Sequence, residues 1–337
     1  MCIRDSHPRV RLEAVRGISF AANPDIDIAT THDGPIAPIE VAMQATDHPT
    51  DRFLDYAIWL TSREMSSAWL PKFRSGAVDF DNKIQHILTA FSAVGEGAPI
   101  EFLLPKLYLE STTGEQRAQV ANLITSSGTP EQISQMVQAA ITQQDDSLLR
   151  TALTATRQRR NLRVPLPANS VTLGMQSKVK ELRHAAMKAL GQWRLPNGMQ
   201  QLEAVLTDTT LPPDDRQAAA TGIALSEPKI ASPILRQVAI QPDAVVDLKL
   251  HCVSLLTGIN PQAGAKVAAT LLAQLKPEDR PERLVPGFML VKNGDNLLAS
   301  ALKDVAVDTN VAREMLRMVR ESGRSAPVLE STLIHQS

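Results

Sequence analysis

RHAAMKAL (Arg183–Leu190), RQAAATGI (Arg216–Ile223) and KLHCVSLL (Lys249–Leu256) follow one another at intervals of 33 residues. Each block has a basic residue, then small or apolar residues three, four and seven positions along. That spacing puts the apolar positions on one face of a helix and the basic residue at its edge. Related blocks stand at RLEAVRGI (Arg11–Ile18) and RAQVANLI (Arg117–Ile124), with weaker ones at RLVP from Arg283 and REMLRMV from Arg313. A second apolar segment follows after a short break, as in GMQQLEAVL (Gly198–Leu206) behind Leu195-Pro196-Asn197, and IASPILRQV (Ile230–Val238) behind Ser226-Glu227-Pro228. The unit is helix, turn, helix. Pro196, Pro212, Pro213, Pro228, Pro242 and Pro261 fall at the breaks, where proline ends one helix or opens the next without removing an interior hydrogen bond. One amphipathic pair cannot bury both sides of its apolar face, so neighbouring pairs must stack. The expectation is an all-α chain: an α-solenoid of HEAT-like helical pairs, an ARM-type superhelix.

Composition agrees with close helix packing. Hydrophobic residues make up 43% of the chain but aromatic residues only 4%, so the apolar content is Ala, Leu, Val and Ile. The formal net charge is −1, from 35 basic and 36 acidic residues, so no global field favours nucleic acid or an anionic membrane surface. The two cysteines, Cys2 and Cys252, make neither a disulfide framework nor a CxxC zinc site. Cys252 reads as a small buried hydrophobe. No run of about 18 apolar residues is present, so no membrane insertion by this segment is expected.

The register is firm from Val179 to Leu275 and looser before it. In the N-terminal half, Thr50 or Asp51 is expected to cap a helix whose apolar stripe is Phe53, Leu54, Ala57, Ile58 and Leu60, and a second helix is expected over 82–94. Residues 7–156 are read as irregular HEAT-like repeats and 157–178 as a linker or long loop. Residues 179–325 are read as regular repeats and 326–337 as a tail. Met1–Ser6 running straight into HPRVR reads as a non-native leader on a fragment.

HPRVRLEAVRGISF (His7–Phe20), DHPTDRFLDYAIWLTSREMSSAWLPKF (Asp47–Phe73), RQRRNLRVP (Arg157–Pro165) and ALGQWRL (Ala189–Leu195) resemble the HEAT-repeat segment of large membrane-bound dehydrogenase-type proteins of planctomycetes and their relatives. The resemblance covers roughly the first 195 residues. It implies the middle of a longer protein, with a sugar-dehydrogenase-like β-propeller ahead of it and a c-type cytochrome domain behind it. It also implies a periplasmic or membrane-associated setting and protein partners or neighbouring domains of the same polypeptide. Haem c would belong to the flanking domain, because His251-Cys252 lacks the CxxCH spacing that attaches haem.

No constellation for catalysis, cofactor or metal emerges. The seven histidines are scattered, with no HExxH pattern. Asp25, Asp27, His32 and Asp33 cluster but lack a calcium-loop pattern. There is no GxSxG elbow and no phosphate-cradling Gly loop after a strand. Trp59, Trp69 and Trp193 read as core or inter-repeat packing. The basic run Arg157, Arg159, Arg160 and Arg163 is the candidate contact for an anion or partner. Without interleaved aromatics it suits an acidic partner better than nucleic acid. Two functions stay open: a non-catalytic scaffold for protein or inter-domain contacts, and a HEAT-like nucleic-acid-binding or base-processing protein.

Overall fold

The computed structural model describes residues 2–21, 37–159 and 164–337, and no strand occurs among them. Helix starts follow the local chemistry that the sequence announces. The Asp51 carboxylate accepts from the Phe53 and Leu54 amides at 3.0 and 2.9 Å. Thr113 with Gln116, and Thr129 with Gln132, form reciprocal capping boxes. Pro130, Pro213, Pro228, Pro261 and Pro327 occupy first-turn positions, where the missing N–H costs nothing.

The chain divides into two compact units, residues 1–143 with 147–165, and residues 144–146 with 166–337. The first holds α1 (Pro8–Ala21), α2 (Pro38–Met43), α3 (Arg52–Glu64), α4 (Ser66–Arg74), α5 (Ile84–Val94), α6 (Gly114–Ser127), α7 (Pro130–Thr142) and α8 (Asp146–Gln158). There α1 packs on α3, α3 on α5 and α5 on α6. Its centre is aromatic. Trp69, 2% exposed, stands 5.6 Å from Phe80 and 6.3 Å from Phe91, ring centroid to centroid, and its indole N–H donates to the Ser62 carbonyl at 2.9 Å. Phe80 reaches this cluster through an unusual turn. Phe80, Asp81 and Asn82 all take left-handed backbone, with φ of 57°, 54° and 53°. Such a run is costly for residues with a Cβ. It is held by Glu40, whose Oε1 accepts from the Asp79 and Phe80 amides at 3.0 and 3.1 Å, and by burial of the Phe80 ring.

The second unit holds α9 (Ala168–Met175), α10 (Lys180–Gln192), α11 (Gly198–Thr207), α12 (Pro213–Ala224), α13 (Pro228–Ile240), α14 (Val246–Ile259), α15 (Pro261–Leu272), α16 (Val285–Leu290), α17 (Gly294–Leu302), α18 (Thr309–Glu321) and α19 (Pro327–Gln336). Helices pack on the next but one in two rows: α10 on α12, α14, α16 and α18 in succession, and α13 on α15, α17 and α19. At the α10–α12 crossing two glycines meet. A Cβ built on Gly191 would lie 1.7 Å from the Gly222 carbonyl oxygen, and one on Gly222 would lie 2.4 Å from the Met187 oxygen. The basic residue that opens each sequence block also acquires a reason. Arg216 Nε donates to the Leu206 carbonyl and Lys249 Nζ to the Pro242 carbonyl, both at 2.9 Å, while Arg117 Nε reaches the Leu107 carbonyl at 2.9 Å in the first unit. Each ties the start of its helix to the backbone that precedes it.

Two expectations about connecting segments are corrected. Part of the expected linker 157–178 is helical: α8 runs to Gln158 and α9 begins at Ala168, with Val164 and Leu166 buried between them. The expected tail 326–337 is also mostly helix. Pro327 opens α19, and Leu329 and Leu333, one turn apart, are buried against α17 and α18. At the other end Ile3 is buried and Arg4 Nε donates to Gln44 at 3.1 Å.

Side chains join successive helical pairs at intervals close to the sequence period. Asp215 accepts from Arg183 Nη2 at 3.2 Å and pairs with His184 Nε2 at 2.7 Å, while Lys180 pairs with Asp214 and Arg194 with Glu227 at 2.7 Å. Asp215 is 6% exposed, whereas the Lys180–Asp214 pair lies in solvent, and this difference decides their worth. Asp215→Ala is expected to cost about 1.5–3 kcal/mol, the range for hydrogen bonds to buried charge. Asp214→Ala is expected to stay within about 0.5 kcal/mol. Urea unfolding of the two variants checks the contrast.

Candidate functional site

Of the four arginines singled out in the sequence, Arg160 and Arg163 lie outside the described residues. Arg157 is exposed in the last turn of α8. Arg159 is committed elsewhere: its Nη1 donates to the Thr125 and Gly128 carbonyls, both at 3.0 Å, closing the C-terminal end of α6. The acidic cluster Asp25, Asp27, His32 and Asp33 also lies outside the described residues.

Among the described residues no group of three or more His, Cys, Asp or Glu side chains could hold a metal ion, and no helix is long and apolar enough to cross a membrane. The histidines with contacts serve packing. His86, 2% exposed, bonds Asp47 at 2.8 Å, and Lys83 shares that carboxylate at 2.9 Å. Burial alone would raise the Asp47 pKa, but the bonds from Lys83 and His86 outweigh it and hold the group below the usual carboxylate range. His251 Nε2 donates to the Gln217 carbonyl at 3.1 Å, and burial lowers its pKa.

Cys252 on α14 is free and fully buried, and burial pushes its thiol up to about 12. Its folded pKa therefore lies above the unfolded value. The unfolded chain gives up this proton first, and the stability the thiol contributes is whole below about pH 9 and lost as pH rises towards 12. Cys252 is expected to resist thiol reagents at pH 8 in the native protein and to react once urea unfolds it. Native labelling within minutes would contradict its burial.

The most substantial groove with a chemical character of its own runs across α3, α5 and α6 in the first unit, with a volume of about 650 Å³. Ile58, Leu88 and Leu123 form its apolar floor. Tyr56 and Trp59 flank it on α3, their rings stacked at 6.0 Å, and the Arg63 guanidinium lies over the Trp59 ring. Gln85, Thr89 and Ser92 come from α5, and Gln119 and Asn122 from α6. The hydroxyl protons of Thr89 and Ser92 go to the carbonyls of Gln85 and Thr89, which leaves their oxygens turned to acceptor work. The carboxamides of Gln85, Gln119 and Asn122 make no hydrogen bond to other described residues. Asp55 is the one charged residue lining the groove. Asn122 also borders an adjoining hollow with Ser147, Thr151 and Thr154 of α8.

Residues in this wall repeat at the chain's own period: Tyr56, Thr89, Asn122 and Ala155 stand 33 apart in turn. The sequence held this signal in another row, since Arg117, Arg150 and Arg183 share the same interval. RTALTAT after Arg150 hides it, because threonines replace the small apolar residues of the regular blocks. Trp69 is core as expected, whereas Trp59 is only half-buried and faces the groove. No family model matches the sequence, and comparison with curated proteins and with solved structures finds no match.

Proposed function

We propose that this chain is a HEAT-type repeat scaffold, an array of stacked helical pairs in an ARM-type superhelix that holds protein partners or neighbouring domains and performs no chemistry itself. The observation that carries the reading is the interval of the bonds between pairs. Arg159 to Thr125, Arg183 to Asp215, Arg194 to Glu227, His251 to Gln217 and Gln336 to Leu302 span 34, 32, 33, 34 and 34 positions. A pair that is bonded repeatedly to the pair one period away is the mark of linear stacking, and linear stacks offer extended surfaces to partners. The polar, uncharged groove on α3, α5 and α6 supports a binding role and offers no acid, base or nucleophile in reach of one another. The resemblance of the Asp47–Phe73 block to planctomycete dehydrogenase-type proteins adds a concrete form: a spacer between redox domains.

Crosslinking of the full chain followed by identification of the joined peptides tests it. The expected result is protein partners, or flanking domains of the same polypeptide, crosslinked through the helical pairs. Oxidation of sugars or alcohols by the isolated chain with a dye acceptor would overturn the reading. So would salt-dependent DNA binding abolished by Arg157→Glu, which would favour the nucleic-acid alternative.

A further inference from the structure

The groove over α3, α5 and α6 has a definite chemical preference. Its wall of carboxamides and hydroxyl oxygens both donates and accepts, and with a single carboxylate it exerts almost no field. A ligand that suits it is neutral, carries donors and acceptors at regular intervals, and has an apolar group for the floor of Ile58, Leu88 and Leu123. We propose that this groove binds an extended, uncharged polypeptide segment through its main chain, with an aliphatic side chain seated on that floor. The proposal rests on the scaffold reading and names the class of partner.

Spacing supports it. Packed helices stand about 8–10 Å apart, and an extended polyproline-II chain advances about 9 Å in its three-residue turn. Equivalent peptide groups would therefore meet Gln85 on α5 and Asn122 on α6 in succession. Each carboxamide can accept from a peptide N–H and donate to a C=O at once. The other neutral ligand with repeated donors and acceptors is an oligosaccharide, which wants bare aromatic faces. Here the faces of Tyr56 and Trp59 are stacked on each other, with Arg63 over the Trp59 ring, so the aromatic surface a sugar ring would need is already engaged.

The test pans a phage-displayed library of random dodecapeptides against the full chain and measures resynthesised winners by fluorescence anisotropy. Expected winners carry little charge and one or two aliphatic residues, and their affinity is unchanged between low and high salt. Asn122→Ala and Gln85→Ala, both at exposed positions, should each weaken binding about tenfold while leaving the urea midpoint in place. N-methylation of the central amides should do the same. Winners insensitive to both substitutions, or a library that yields none, would overturn the proposal. So would an array of neutral oligosaccharides that binds in an Asn122-dependent way while peptides do not. If crosslinked protein partners persist unchanged in Asn122→Ala, the groove proposal falls and the scaffold reading stands. If neither peptides nor partner proteins bind, both fall.

Discussion

Gly191→Ala is expected to destabilise the second unit by about 2–3 kcal/mol or more, although alanine is the better helix former by about 1 kcal/mol. The reason is the α10–α12 crossing, where the added methyl would come within 1.7 Å of the Gly222 carbonyl oxygen. That atom belongs to helix backbone and cannot swing aside as a side chain would, so α10 and α12 must move apart along their contact. Leu202 and Met187, packed around the same point, lose contacts when they do. Gly258→Ala provides the opposite sign in the same unit. Gly258 lies on the exposed side of α14 with nothing within 4 Å of a built Cβ, so alanine there should raise stability by about 0.5–1 kcal/mol. Urea midpoints for the two variants, measured side by side, check the pair. Equal effects would mean that the crossing is looser than its geometry shows.

Trp69→Ala is expected to cost about 3–5 kcal/mol, enough to unfold much of the first unit near room temperature. The indole is 2% exposed and touches Phe73, Phe80 and Phe91, which would border the void left behind. Trp69→Phe separates the two parts of the effect. It keeps most of the apolar area but loses the indole bond to the Ser62 carbonyl, and about 1 kcal/mol of the cost should remain. Loss of aromatic near-ultraviolet dichroism in the alanine variant, with helical far-ultraviolet dichroism kept in the second unit, is the measurement that checks it.

How much of this could be read beforehand differs by feature. Helices were legible wherever a block repeated, because Arg183, Arg216 and Lys249 mark a period that periodicity alone makes helical. The cap at Asp51 followed from residue type. What escaped was decided by tertiary contact. Neither Pro165 and Pro167 nor the polar residues before α9 announce a helix, and α19 shows only Leu329 and Leu333 as a stripe. The α3 stripe was read too broadly. Phe53 is 58% exposed, while Thr61 and Ser62 on the same helix are buried, Ser62 because its carbonyl meets the Trp69 indole. For the groove, the residue types were visible, but the alignment of Gln85, Thr89 and Asn122 required knowing that the period of 33 extends into the first unit. Arg159 shows the converse. As sequence it belongs to a basic run, and in the fold its charge closes a helix end.

The bonds between helical pairs have a consequence for how the chain comes to be folded. Arg183 finds Asp215 after 32 residues, Arg194 finds Glu227 after 33, and even the bond from Phe80 back to Glu40 closes a loop of 40. Closing short loops costs little entropy, and a topology made of them folds quickly. During synthesis, each pair has its partner as soon as one further period has left the ribosome. The unfinished end then exposes one unpaired helical face at a time. Aggregation during biosynthesis is thereby limited to the width of a single repeat.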